Sequence, residues 1–593
     1  MRRTVGVVSW SAFRAVGLRR RLVSGKVAVV PTGGSKPSVR GARLRDAREA
    51  IAVNVRSPRL RRAQLSFGAS FAAEWAVTVA IAVVAYRDAG AAAVGILAFA
   101  RTAPGVVLVP LGGVLGDRFR RDRVLLWIGA LRTVVIAASA AVLAAGAPLV
   151  ATYALIVLET VVFSLVRPLN SALLPALCAR PRELTSANMV RGLIDSLSLL
   201  AGPLVAAVLL SVGSPAAVIA AAAVLSGAAT VLMLGVRCEF LPSAPVPRTR
   251  LLGEAAQGAR VMLGAPGPRV LSLLAVVQTA TRGAVNVFIV MIALRLLDTG
   301  QAGVGVLSAA LGAGAVMGSI AVLVMSSGRR LAASMGAGVA LWGVPLILTG
   351  LIPAEVIVIA ALGAMGVGNA LVDVGFFTVL GRLVPDELLG RALTVAESLC
   401  TLGLALGSVL APVAIATLGT RGCLVAVGVV APATVLAVRP ALRRMDAALV
   451  VRDQEVAALK EVAMLGPLPI AAVDHMAANL HRVAAEPGEI VVNEGDRGDR
   501  FFIIREGEVE VLRHGRLVRT MGPGQGFGEI ALLRDVARTA TVRARSHVEL
   551  FALERRHFVP ALTAYQAGVA GAERTVHDYL ARDAAATATS AAP

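Results

Sequence analysis

The chain has 593 residues, 56% of them hydrophobic and only 16% charged, with a mean hydropathy of +0.75. A soluble domain carries about 25% charged residues, so the composition excludes an ordinary water-soluble protein and points to a bilayer as solvent. The formal net charge of +22 is concentrated at one end, where residues 1–63 hold sixteen Arg or Lys against Asp46 and Glu49; no clustered basic face with aromatic readers follows, which argues against nucleic acid and for anionic lipid as the partner.

Residues 1–63 contain no apolar run near the 20 residues needed to span a membrane, so a basic, disordered tail is expected there. From 64 to 439 the pattern changes. Apolar stretches near 65–86, 91–115, 124–146, 149–173, 189–211, 214–236, 269–294, 302–325, 331–351, 354–381, 393–416 and 421–438 give about twelve transmembrane helices. Short turns such as "YRDAG", "AAGAP" and "LGTRG" alternate with basic loops such as "GDRFRRDR", "CARPRE" and "VRPALRR". The positive-inside rule then places the basic loops and both termini in the cytoplasm of a multi-pass protein of the plasma membrane.

"PRELTSAN" at 181–188 recurs as "PDELLGRA" at 385–392, each opening an apolar helix. The repeat predicts an all-α polytopic membrane bundle of two six-helix halves joined by the loop 237–268. A transporter with a midplane site between the halves is one physical use of such symmetry. Cys178, Cys238, Cys400 and Cys423 form no CxxC pair and read as small hydrophobes, so neither a disulfide framework nor a metal site is expected.

Beyond 440 the apolar run ends. Residues 440–466 are expected to form a linker helix. Residues 467–583 carry short Val/Ile/Phe-rich runs between Gly turns, the pattern of a β-barrel or jelly roll with flanking helices, the last at about 557–583. Residues 584–593 read as a disordered tail.

Glu74, Arg101, Glu159, Asp195, Arg282, Asp373 and Glu397 fall inside predicted spans. A charge at the bilayer centre costs at least about 2.5–3.5 kcal/mol, so each should face the interior and have a partner. Glu74, Arg101 and Glu159 come to similar depths, which allows a Glu74–Arg101 or an Arg101–Glu159 pair. They would serve either as ion pairs fixing helix register or in proton coupling and recognition of substrate charge. For Asp195, Asp373 and Glu397, nearer the helix ends, the structural role is favoured.

Gly113, Asp117, Arg118, Arg121 and Arg123 stand in "GGVLGDRFRRDR". This stretch resembles the signature loop of the major facilitator superfamily, except that Arg120 stands where that family usually has Gly. "RPLNSALLPAL", "LTSAN" and "AGP" at 201–203 extend the likeness, which covers about residues 64–439 and looks most like the exporter-type branch. The resemblance implies a secondary active transporter of small molecules, with protons as the candidate coupling ion.

"FGEIALLRDVARTATVRA" begins at Phe527. A cyclic nucleotide needs a carboxylate for the ribose 2′-hydroxyl, a cation for the ring phosphate and close backbone approach. Glu529, Arg538 and Gly528 supply these, and Thr539 adds a hydroxyl. With Gly495, Gly498 and Gly507 upstream, residues 467–583 resemble the cyclic-nucleotide-binding domain of catabolite activators and kinase regulatory subunits. By that resemblance Gly528, Glu529, Ala531, Arg538 and Thr539 are the binding positions for cAMP or cGMP, with cAMP preferred.

No Walker sequence and no catalytic constellation is evident, so an enzyme is not expected. The leading reading is an exporter in the lipid bilayer, regulated by a cyclic nucleotide. The alternatives are a membrane-anchored nucleotide sensor without transport and an exporter of the nucleotide itself.

Overall fold

The computed structural model describes residues 54, 56–108, 119–178, 181–237, 248–325, 330–384, 386–468 and 470–563. Among these, ten helices are long and apolar enough to cross a membrane. Two of the ten are double. Helix α1 (Pro58–Thr102) turns back at Gly90, with φ of 68°, and α12 (Asp386–Glu461) does so at Gly419, with φ of 71°. Positive φ is nearly free for glycine and costly for other residues, so each glycine ends one span and starts the next. The expected twelve crossings are therefore present.

Between them run α2 (Arg121–Ala144), α3 (Leu149–Phe163), α4 (Val166–Leu177), α5 (Pro181–Val212), α6 (Pro215–Met233), α7 (Arg248–Gly264), α8 (Pro266–Met291), α9 (Gly300–Met325), α10 (Leu331–Leu351) and α11 (Glu355–Leu383). The predicted fourth span is broken between α3 and α4. Pro168 has no amide to give to the helix, and its ring conflicts with the carbonyl four residues earlier, at Ser164. The two copies of the repeat open α5 and α12.

Helices α1–α6 and α8–α12 form the two halves. They meet where α5 packs on α9 and α12 packs on α1. The α5–α9 seam is tight to mid-span, where a Cβ added at Gly312 would lie 2.5 Å from Leu199 O, whereas the α1–α12 seam is tight only at the ends far from the C-terminal domain. A Cβ added at Gly95 would lie 2.5 Å from Ser408 O and 2.5 Å from Pro412 Cγ, and one at Gly305 would lie 2.6 Å from the Ala207 amide nitrogen. At Gly105, nearer the other end, the nearest atom would be Thr401 Cγ2 at 3.5 Å.

The stretch 440–466, expected as a separate linker, begins as an unbroken continuation of the last membrane helix and stays helical to Glu461. After α13 (Ile470–Ala477) come β1 (Leu480–Ala485), β2 (Ile490–Val492), β3 (Arg500–Glu506), β4 (Val509–Arg513), β5 (Arg516–Met521), β6 (Gly526–Phe527), the short helix α14 (Glu529–Arg534), β7 (Thr541–Ala544), β8 (Val548–Glu554) and α15 (Arg555–Thr563). The strands form two antiparallel sheets, ordered β1-β8-β3-β6 and β2-β7-β4-β5.

Strand β3 is buried on both faces, which explains its continuous "FFII" run. Phe502 and Ile504 point into the barrel, where Phe502 stacks on Phe527 at 5.2 Å. Phe501 and Ile503 point outward to the helices, where Phe501 stacks on Phe558 at 4.5 Å. The remainder of the last predicted helix, with the 584–593 tail, lies outside the described residues, as does most of the 1–63 tail.

Candidate functional site

The candidate nucleotide site in the C-terminal domain is built from main chain and a few side chains. Pairing of Phe527 with Phe502 brings β6 to an end beside β3. Gly528 follows with φ of 92° and caps α14. A side chain there would collide with the Arg538 guanidinium. Arg538 returns from the segment after α14 and is only 6% exposed. Its Nη1 donates to Gly528 O at 3.0 Å and its Nη2 to Arg500 O at 2.7 Å. Burial pulls this guanidinium below arginine's ordinary value, against the opposing influence of Asp499, Glu529 and Asp496.

The exposed Asp499 reaches Arg538 only at 3.9 Å, so the buried cation is held mainly by neutral carbonyls. That arrangement suits an incoming phosphate. Glu529 is 1% exposed and Ala531 3%. A Cβ added at Gly498 would lie 2.6 Å from Ala531 Cβ and 3.4 Å from Arg538, so the wall facing Arg538 is backbone. Thr539 is exposed beside Arg538. A buried carboxylate, a buried guanidinium and closely approaching main chain fit the sugar and phosphate of a cyclic nucleotide.

The membrane charges fall into two groups. Within the first half, Arg101 Nη2 donates to Glu74 at 2.7 Å and its Nε to Thr160 at 2.9 Å. Arg132 Nε donates to Glu159 at 2.7 Å, and its Nη2 reaches Glu74 at 3.3 Å. Arg132 and Glu159 are 1% and 0% exposed. Two cations and two carboxylates from four spans thus form one buried, charge-balanced network. The expected Glu74–Arg101 pair is present, whereas Glu159 takes Arg132 in place of Arg101.

The second group lies between the halves. Arg167 Nη2 donates to both carboxylate oxygens of Asp195, at 3.1 and 3.2 Å. Arg167 also interacts electrostatically with Glu397 and Asp373 across the gap. Arg282 interacts with the same carboxylates and sits 5.5 Å from the Trp75 ring.

A profile of the family described as "Transmembrane secretion effector", MFS_3, matches residues 65–465. The chain belongs to this family. A second profile, "Cyclic nucleotide-binding domain", matches residues 482–565. Among curated proteins the chain is similar to the cAMP-dependent protein kinase regulatory subunit of Yarrowia lipolytica, 38% identical over 102 residues, covering 17% of this chain and 27% of that protein. It is also similar to a cGMP-dependent protein kinase of Caenorhabditis elegans, 40% identical over 79 residues, covering 13% of this chain and 10% of that protein. The chain thus spans about a quarter or less of these relatives. A crystal structure of a POT family transporter in complex with a thioalcohol conjugated peptide is 15% identical, covers 64% of this chain and 96% of that one, and superposes with a TM-score of 0.52; that likeness shows the fold. The chain is a multi-pass transporter of the major facilitator type fused to a cyclic-nucleotide-binding domain.

Of the signature loop, Gly113, Asp117 and Arg118 lie outside the described residues. Arg121 Nη1 donates to Ala172 O at 2.8 Å, tying α2 to α4. Arg123 is exposed beside an Arg120–Asp122 ion pair of 2.8 Å. Sequence reasoning missed Arg132 and Arg167, although both stand inside predicted spans where an unpaired charge is costly. It also missed Asp446, whose carboxylate accepts from the amides of Ala332 at 2.8 Å and Ala333 at 3.0 Å and so caps α10 from another helix.

Proposed function

We propose that this protein is a secondary active exporter of small molecules whose transport cycle is biased by a cyclic nucleotide bound at Gly528, Glu529, Ala531, Arg538 and Thr539. The observation that carries this reading is the path from cassette to membrane. Leu532 of α14 shares one buried core with Leu459 and Val462, beside Phe501 and Phe551. Leu459 lies on α12, the same unbroken helix that forms the last span. A shift of α14 on ligand binding therefore bears directly on a membrane helix, with no flexible tether between them.

The basic loops support a cytoplasmic position for this domain, where a cytosolic nucleotide reaches it, and both termini then lie on that side. Proteoliposomes containing the full-length protein test the reading. Efflux of labelled small molecules driven by a proton gradient should change when cAMP or cGMP is supplied on the side of the nucleotide domain. Nucleotide binding without any change in flux would overturn the regulatory part; absence of flux would leave an anchored sensor.

A further inference from the structure

We infer that the space between the two halves is a binding site for a small zwitterion, its anionic end on the first half and its amine on the second. This assignment rests on the reading of the chain as a transporter. Six charged side chains cluster here, five of them acting on one another across the seam. From the first half come Arg167 on α4 and Arg191 and Asp195 on α5; from the second come Arg282 on α8, Asp373 on α11 and Glu397 on α12.

Their charges act on one another across the seam. Arg167, from one half, interacts electrostatically with Asp373 and Glu397 of the other, and Arg282 reaches back to Asp195. Yet Arg167, Asp373 and Glu397 are exposed. Exposed charges within a spanning segment call for water or protein around them, not lipid. Arg282 lines a pocket between the halves with Trp75, Asn286 and Ser308.

The two walls differ in sign. On the first half two guanidiniums face one carboxylate, which Arg167 already holds with two hydrogen bonds. Arg191 donates from Nη2 to Arg167 O at 3.3 Å, lies 4.4 Å from the Phe67 ring and shares the field of Asp195 with Arg167. On the second half two carboxylates face one guanidinium. Asp373 accepts from Asn369 at 2.9 Å, a neutral donor that leaves its charge in place. The first wall is thus net positive and the second net negative.

An anion alone would be repelled by Asp373 and Glu397, and a cation alone by Arg167 and Arg191. A molecule carrying both charges, spaced to reach both walls, meets an opposite charge on each. Trp75, which lines the pocket beside Arg282, adds apolar surface for the part between the charges.

The test uses full-length protein in proteoliposomes with three labelled mixtures: free aromatic and aliphatic α-amino acids, their amides, and their N-acetyl derivatives. These are zwitterions, cations and anions on shared side chains. Losing one charge-assisted contact should weaken apparent affinity about tenfold or more, so free amino acids should outcompete both derivatives by that factor. Arg167→Gln should remove the advantage over the amides, and Glu397→Gln the advantage over the N-acetyl forms. Arg167→Lys, which keeps the charge, should preserve most of it and guards against misfolding. Transport of amides or N-acetyl forms as well as free amino acids overturns the zwitterion assignment and leaves the transporter reading standing. No flux of any mixture, with insertion verified, overturns both.

Discussion

Arg452 grips Asp474 with two charge-assisted hydrogen bonds, Nε at 3.1 Å and Nη2 at 2.9 Å, while its Nη1 holds the carbonyl of Arg382 at 3.0 Å. One guanidinium on the extension of the last membrane helix thus joins the first helix of the nucleotide domain to the end of α11. Arg382 adds a 2.8 Å ion pair to Asp453. A rigid joint of this kind lets an equilibrium in one domain bias the other.

Arg452→Gln should therefore leave nucleotide binding in place and weaken its effect on transport. A coupling of about 1–3 kcal/mol corresponds to about 5–150-fold, and by linkage substrate must change nucleotide affinity by the same factor. In the unmodified protein the nucleotide dissociation constant should differ between zero and saturating substrate, and in the variant the two values should converge. Equal values in the unmodified protein would show that the domains share a chain without sharing an equilibrium.

Arg538→Ala removes the buried cation expected to meet the phosphate, at a cost of about 2–5 kcal/mol in binding. It also frees the carbonyls of Gly528 and Arg500, so folding should be checked by the thermal transition of the full-length protein. Calorimetry with cAMP and cGMP reads the affinity directly. Normal binding by a folded variant would remove Arg538 from the site.

Much of this was legible in the sequence, because long apolar runs and period-independent motifs survive without knowledge of packing. Twelve spans followed from hydropathy, and the chemistry of a phosphate and a ribose singled out Glu529 and Arg538, both of which lie buried. Partners were not legible. Arg132 and Glu159 meet only because α2 and α3 pack side by side, and Asp446 finds Ala332 across more than a hundred residues. The continuity of α12 was also hidden: the end of the apolar run near 440 read as a domain boundary, yet the helix passes through it.

Breaking the buried network should be costly. Arg132→Leu leaves Glu159 without its cation in a dry site, and removing one partner of a buried pair costs about 3–5 kcal/mol. Arg132→Leu combined with Glu159→Leu should recover a large part of that loss, because no isolated charge remains at the α2–α3 contact. Thermal unfolding in detergent of the two single variants and the double variant measures this. Additive losses would show that the pair does not act as a unit.

Gly95 offers a handle on the transport cycle itself. The halves press together there, with Ser408 O and Pro412 Cγ each 2.5 Å from where a Cβ would stand, while at Gly105 the seam tolerates one at 3.5 Å. Gly95→Val must part the far seam, because its obstacle includes backbone that cannot swing aside. If far-side closure defines the state open toward the nucleotide domain, the variant should favour the opposite state. Spin labels at Val212 and Val356, exposed at the far ends of α5 and α11 in different halves, should read a longer separation in the variant than in the unmodified protein. An unchanged distance distribution, with normal expression, would mean that this contact yields locally and does not gate the halves.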